Sequence, residues 1–249
     1  MRLARKLGRL MCNGTYRRGL AYGVAAAVEH KDIIARLRPA LVIDVGANVG
    51  QFSLMVRGLL PETEIIAFEP LAEPAERYRR LFRGDQHTRL NVCAIGPAVG
   101  KADIHVSKRM DSSSLLPIST SQVDLFPGTE EVGVRTISVQ RLTDIVDRKE
   151  LPESTMLKID VQGFELGVLQ SAVPLLPSIS WVYVEVSYVP LYEGQCLADQ
   201  VAAFLERNGF KPVQRNNVVS VGGAEIQADL LFENQLIAAA SAAQKTEEL

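Results

Sequence analysis

Short apolar runs alternate along this chain with longer stretches of 3.6-residue period, the pattern of a parallel sheet covered by helices on both faces. The first predicted strand, 40–44, is an apolar run ending in Asp44 and a glycine-containing turn. Residues 51–60 read as the helix after it, stopped by Pro61. Residues 63–69 form the second strand, closed by Pro70, and 74–82 carry a helical pattern of apolar and basic positions. The third strand spans 89–95. Beyond it the rhythm lapses. Segments 101–107 and 134–139 alternate like exposed or edge strands, separated by the Ser-rich stretch 111–115 and a turn at Pro127-Gly128. Residues 97–146 therefore predict an inserted β excursion, a wall or lid over a site, with a short helix over 142–148. The fourth and fifth core strands are 155–160 and 180–185, with helices over 164–176 and 196–208 and further strands near 210–214 and 228–232. The tail 238–249, rich in Ala and charge, is expected to fray.

These elements predict a core domain over 39–237 behind a helical extension, 1–38. In the extension Arg2, Arg5, Lys6, Arg9, Arg17, Arg18, Lys31, Arg36 and Arg38 are opposed only by Glu29 and Asp32. A basic stretch before the apolar run 19–28 superficially matches a signal peptide, but the run is too short to span a bilayer. The extension is expected to pack on the domain; resting on a membrane surface or covering the active site is the alternative.

A chain of 249 residues fits one large α/β unit, and 47% hydrophobic with 22% charged residues suffices for a sizeable core. A net charge of -2 predicts no nucleic-acid partner. Cys12, Cys93 and Cys196 are odd in number and lack a C-x-x-C spacing, which points to free thiols and a cytoplasmic address. None of these patterns sets the oligomeric state.

The strongest chemical signal is Asp44-Val-Gly-Ala-Asn-Val-Gly50, where a buried strand turns into a helix. Small residues let backbone approach a ligand, and a helix start offers unpaired N–H groups. Asp44, Gly46, Ala47, Asn48, Gly50 and Phe52 are the candidate cofactor contacts here. A dinucleotide fingerprint aligned on Gly46 would need glycines where the chain has Asn48 and Gln51, and a P-loop would need a lysine that is absent between Asp44 and Leu60. What is left is a cofactor with an adenosine but no phosphate. Glu69, ending the second strand beside Pro70, suits the ribose hydroxyls; its alternative is a surface acid that stops a strand. Cys93 and Ala94 offer small apolar atoms to an adenine face.

The motif at 44–50, Ala67-Phe-Glu-Pro70, Ala94-Ile-Gly96, Ser112-Ser-Ser-Leu115, Leu157-Lys-Ile-Asp-Val-Gln-Gly-Phe-Glu165 and Val184-Glu185, in this order, resemble the FkbM methyltransferases over about residues 40–232. The resemblance implies a class I methyltransferase fold, a Rossmann-like, doubly wound seven-stranded α/β sheet with one antiparallel strand. It further implies S-adenosylmethionine (S-adenosyl-L-methionine) as cofactor and a hydroxyl of a polyketide, glycan or similar small molecule as methyl acceptor. The family usually carries Glu where this chain has Gln162, so a role needing charge at that position does not transfer.

Methyl transfer from a sulfonium requires mainly that the protein position the partners, exclude water and assist deprotonation. Asp160, ending the fourth strand, is the first candidate for that catalysis and also a cofactor contact; Glu185, ending the fifth, is the second. Either could instead be a buried acid capping the next turn. Glu165 reads as structural, its charge favouring the start of its helix. Ser112, Ser113 and Ser114 offer hydroxyls to cofactor or acceptor, or form a solvated turn. Of His30, His87 and His105, only His105 lies in a region that overhangs the pocket, and a solvent-facing strand histidine is its favoured reading over a base. No His/Cys/carboxylate cluster has zinc spacing, and magnesium on Asp160 and Glu185 would need only oxygen ligands brought together in space. Two other readings compete: a nicotinamide-dependent oxidoreductase, opposed by the missing glycines, and a non-catalytic module that keeps the cofactor pocket.

Overall fold

The computed structural model describes residues 13–240, so the readings placed on 1–12, Cys12 among them, and on 241–249 lie outside the described residues. Helices α1 (Gly14–Ala21) and α2 (Lys31–Leu37) precede strand β1 (Leu41–Val45). The Asn13 side chain starts α1 by accepting from the N–H groups of Thr15 and Tyr16, which have no partner within the helix. After β1 come α3 (Gln51–Leu59), β2 (Glu64–Phe68), α4 (Ala72–Leu81) and β3 (Thr88–Asn91). The excursion holds β4 (Ala94–Ile95), β5 (Gly100–Ser107), α5 (Thr120–Leu125) and β6 (Glu131–Gln140). Next are β7 (Thr155–Ile159), α6 (Glu165–Ala172), β8 (Trp181–Ser187) and α7 (Ala198–Arg207), then β9 (Phe210–Val221) and β10 (Ala224–Asn234).

Seven of these strands form one sheet in the order β3-β2-β1-β7-β8-β10-β9, with β10 antiparallel to both of its neighbours. Strand order reverses between β1 and β7, and that reversal opens a crevice at their carboxyl ends. Alternate residues of β1 serve two cores. Leu41, Ile43 and Val45 pack with Leu157, Val182 and helices α6 and α7. Val42 faces the opposite layer, among Met156, Tyr183, Tyr16, Ile34 and Phe52. Burial on both faces is why the parallel strands read as near-continuous apolar runs. It also makes the segment ahead of β1 an integral layer of the domain.

The excursion builds its own sheet in the order β4-β6-β5. Ile104, Val106, Ile137 and Val139 pack there with Leu71 and Ala94, which seats this sheet beside the end of β2. Several elements differ from the sequence pattern. The third predicted strand breaks after Asn91, so β3 pairs in the large sheet and β4 in the small one. Residues 142–148 are no helix: a 3-10 turn covers Leu142–Asp144 and a second one Arg148–Glu150. Helix α6 ends at Ala172, ahead of Pro174, whose ring cannot continue it. The last two strands are far longer than predicted and meet at Gly222-Gly223, with φ of +59° and +86°, the conformation that two-residue hairpin loops need. Positions 235–240 are helical, with Asn234 accepting from the N–H groups of Leu236 and Ile237. Among the described residues no helix is long and apolar enough to cross a membrane.

Candidate active site

A cavity of about 580 Å³ opens over the carboxyl ends of β1, β2, β7 and β8, within the roughly 300–1,000 Å³ typical of small-molecule sites. Gly46, Ala47, Asn48 and Phe52 form one wall, Glu69, Pro70, Cys93 and Ala94 the next, and Asp160 and Glu185 reach it from the far side. Ser112, Ser113 and Ser114 of the excursion also line it. Asp44 and Gly50, expected as direct contacts, are not among the residues that line the cavity.

The turn after β1 is tied to β2. Gly46 and Ala47 both donate to the Phe68 carbonyl (3.1 and 2.9 Å), Gly50 donates to Ala47 (2.9 Å), and the Asn48 N–H donates to Glu69 Oε2 (2.9 Å). The unpaired donors expected in this turn are therefore largely spent inside it. Gly46 has φ of +81°, and a Cβ there would sit 1.8 Å from the Asp160 carbonyl oxygen. Only glycine lets the two strand ends meet.

Asp44 lies one layer below, fully buried, with the Ser53 hydroxyl donating to it (2.7 Å) and the Tyr78 hydroxyl donating in turn to Ser53 (2.9 Å). In register opposite Asp44 on β7 stands Lys158. Its Nζ is 3.1 Å from Asp44 Oδ1 and 3.6 Å from Asp160 Oδ2, and it donates to the Gly46 carbonyl (3.1 Å). Burial works against the ammonium, but Asp44 and then Asp160 outweigh it and hold the Lys158 pKa above the ordinary lysine value. Sequence reasoning missed Lys158. Its signal was a lone charge inside an apolar strand.

Glu69 is buried, with Asn48 N–H on one carboxyl oxygen and Leu71 N–H on the other (2.8 Å). Burial pushes its carboxyl up to about 7, against the pull of those two donors. The native state thus keeps a proton that the unfolded chain, with an ordinary value of 4.5, gives up. Stability from this group is full below that ordinary value and is lost as pH rises towards the native one. Denaturant titrations of the ligand-free protein at pH 5 and pH 7.5 are expected to show Glu69→Gln losing about 2–3 kcal/mol less than wild type between the two. Equal losses would contradict it.

Asp160 and Glu185 are joined by a residue whose identity departs from the family pattern. The Gln162 amide donates to Asp160 Oδ1 (2.7 Å) and to Glu185 Oε2 (2.8 Å), and the Tyr192 hydroxyl donates to Gln162 Oε1 (2.9 Å). A glutamate could make neither donation. Burial first, then the nearby charges of Asp160 and Asp229, push the Glu185 carboxyl well above the ordinary range. Glu165 accepts from the Gly163 N–H (2.8 Å) and holds that turn; burial pushes it up to about 7. Ser114 donates to the Gln162 carbonyl (2.6 Å), pinning the excursion to the loop after β7. Burial likewise pushes the Cys93 thiol up to about 11, so its sulfur presents a neutral surface. Among the described residues no group of three or more His, Cys, Asp or Glu is placed to hold a metal.

His105 follows the favoured solvent-facing reading, and His30 is the histidine to which the sequence did not point. His105 pairs with Glu131 on the outer part of the small sheet (2.8 Å) and does not line the cavity, because β5 turns that position away. His30, from the segment before α2, does line it, together with Tyr183 and Asp229.

The methyltransferase FkbM domain family matches residues 44–212. The 2-O-methyltransferase NoeI of Sinorhizobium fredii is 26% identical over 174 residues, 67% of this chain and 72% of that protein. The 31-O-demethyl-FK506 methyltransferase FkbM of Streptomyces tacrolimicus is 26% identical over 216 residues, 75% of this chain and 78% of that protein. Among solved structures, the magnesium protoporphyrin IX methyltransferase ChlM of Synechocystis with bound S-adenosylmethionine aligns at a TM-score of 0.41 and 12% identity, over 84% of this chain and 81% of its own. With the domain family covering the crevice turn, the excursion and both catalytic candidates, the chain belongs to the FkbM methyltransferases and uses S-adenosylmethionine as its methyl donor.

Proposed function

We propose that the chain is an O-methyltransferase acting on a hydroxyl of a small molecule, a sugar or polyketide-like metabolite. The observation that carries this reading is Glu69 at the cavity wall: each carboxyl oxygen has one backbone donor, which leaves lone pairs on both for a pair of ribose hydroxyls. Gly46, Ala47, Asn48 and Phe52 would hold the amino-acid part of the cofactor, and Pro70, Cys93 and Ala94 its adenine. Bound there, S-adenosylmethionine supplies an electrophilic methyl group on a neutral leaving group.

The remaining residues orient and stabilise. Asp160 stands beside Lys158 and the Gln162 amide, and a carboxylate there stabilises positive charge on a methyl in transit. Glu185, its carboxyl pushed up by burial, lines the cavity on the side where an acceptor would lie. The choice of oxygen as acceptor atom draws on two relatives whose names specify 2-O and 31-O positions.

Two measurements test the reading. Glu69→Ala is expected to weaken calorimetric S-adenosylmethionine binding about 10–100-fold, the loss of one or two buried hydrogen bonds. Tritium from labelled S-adenosylmethionine is expected on an oxygen of at least one member of a panel of methyl glycosides and macrolide alcohols. Label on nitrogen or carbon alone would overturn the O-transfer reading.

A further inference from the structure

The cavity runs past Asp160 and Glu185 to a second polar cluster. One side of it is the segment before α2, with His30; the other is the middle of β10, where Asp229 stands in register opposite Glu185. His30 Nδ1 lies 2.9 Å from the Tyr183 hydroxyl, 3.1 Å from the Asn217 amide nitrogen and 3.5 Å from Asp229 Oδ2. The Asn217 amide also donates to Asp229 Oδ2 (2.7 Å), fixing that carboxylate. Edge-on contacts with Phe52 and Tyr183, at centroid distances of 5.4 and 5.6 Å, set the imidazole plane. With the proton on Nδ1, its acceptors are the Tyr183 hydroxyl and Asp229, the Asn217 amide nitrogen being itself a donor, and Nε2 makes no hydrogen bond among the described residues.

This arrangement suits proton acceptance better than either carboxylate does. A proton on Asp160 would weaken its contacts with Lys158 and Gln162, and Glu185 already favours its protonated form. Burial lowers the His30 pKa; Asp229 on β10, Glu29 beside it and Asp160 after β7 raise it in part, while Lys158 on β7 lowers it. The ring is therefore a free base at neutral pH, with a carboxylate ready to stabilise the imidazolium.

We infer that His30, oriented by Tyr183 and Asp229, is a catalytic residue that takes the proton of the acceptor hydroxyl, and that an alcohol lies between His30, Glu185 and Gln227, which all line the cavity. This rests on the methyl-transfer reading above. The hydroxyl oxygen bonds to the methyl carbon as the carbon–sulfur bond breaks, its electron pair staying on sulfur to give a neutral thioether. The hydroxyl proton passes to His30 Nε2 and is later released to water.

The test uses the full chain with nitrogen-15 in its three histidines, His30→Gln assigning the relevant signals. With S-adenosylhomocysteine bound, His30 is expected to be neutral at pH 7.5, protonated on Nδ1, with a titration midpoint below that of a free imidazole; Asp229→Asn should lower it further. An imidazolium at pH 7.5, or a ring protonated on Nε2 alone, would overturn the inference even without a known acceptor. On the panel member methylated fastest, His30→Gln is expected to reduce kcat at least ~100-fold with S-adenosylmethionine affinity within about twofold, and His30→Ala to recover on adding imidazole. Asp229→Asn, which retains the ring, should shift the acid limb of kcat to lower pH. A His30→Gln kcat within about threefold of wild type would also overturn it. Absence of S-adenosylmethionine binding by wild type would instead count against the underlying reading.

Discussion

Lys158→Met is expected to destabilise the protein by about 3–5 kcal/mol, because it leaves the Asp44 carboxylate buried without its cation. Asp44 is wholly inaccessible, and Ser53 is its other polar partner. One hydroxyl offsets little of the desolvation of an ionised carboxylate. Urea titration should show the loss, and Asp44→Asn combined with Lys158→Met should recover most of it, since the pair rather than either charge is what the interior tolerates. A single variant within about 1 kcal/mol of wild type would contradict the pairing. Lys158 also donates to the Gly46 carbonyl, so the pair fixes the floor on which the crevice turn rests.

The second large effect is expected at Gly46. An alanine there would place Cβ inside the Asp160 carbonyl oxygen, at 1.8 Å, and both partners are backbone at adjoining strand ends, with Asp160 N–H bonded to the Val45 carbonyl (3.0 Å). Relief has to come from parting β1 and β7 where the crevice begins. S-adenosylmethionine binding by Gly46→Ala is expected to fall more than ~100-fold, since displacement of about 1 Å at a site has effects of that order. Gly84→Ala is the control: its φ of +82° imposes the same left-handed strain, with nothing within 4 Å of the added carbon. Equal losses of binding in the two variants would show that general strain, not the clash, is responsible.

Much of this was legible in the chain because parallel strands buried on both faces announce themselves as apolar runs, and β1, β2, β7 and β8 fall close to where those runs lie. The crevice turn was legible through Gly46 and Asn48, and the acid that closes β2 beside it through Glu69 and Pro70. What periodicity could not show was register. Lys158 acquires its meaning only from standing opposite Asp44 across two strands 114 positions apart in the chain. His30 and Asp229 are brought together by the layer before β1 and by the long hairpin, and the hairpin itself was underread because Asn216, Asn217 and Gln227 break the apolar alternation of β9 and β10. The turn's N–H groups looked free from the sequence, since nothing there reveals that Phe68 and Glu69 would absorb them. Gln162 was recognised as a departure, and only the geometry shows an amide joining two carboxylates.

Crystals soaked with S-adenosylhomocysteine give the most direct measurement of the cofactor assignment. Density for an adenosine is expected over the 46–50 turn, with both ribose hydroxyls within hydrogen-bond distance of Glu69 and the sulfur directed towards Asp160. An adenosine seated elsewhere, or a crevice that takes up a pyrophosphate-bearing dinucleotide in preference, would contradict the account.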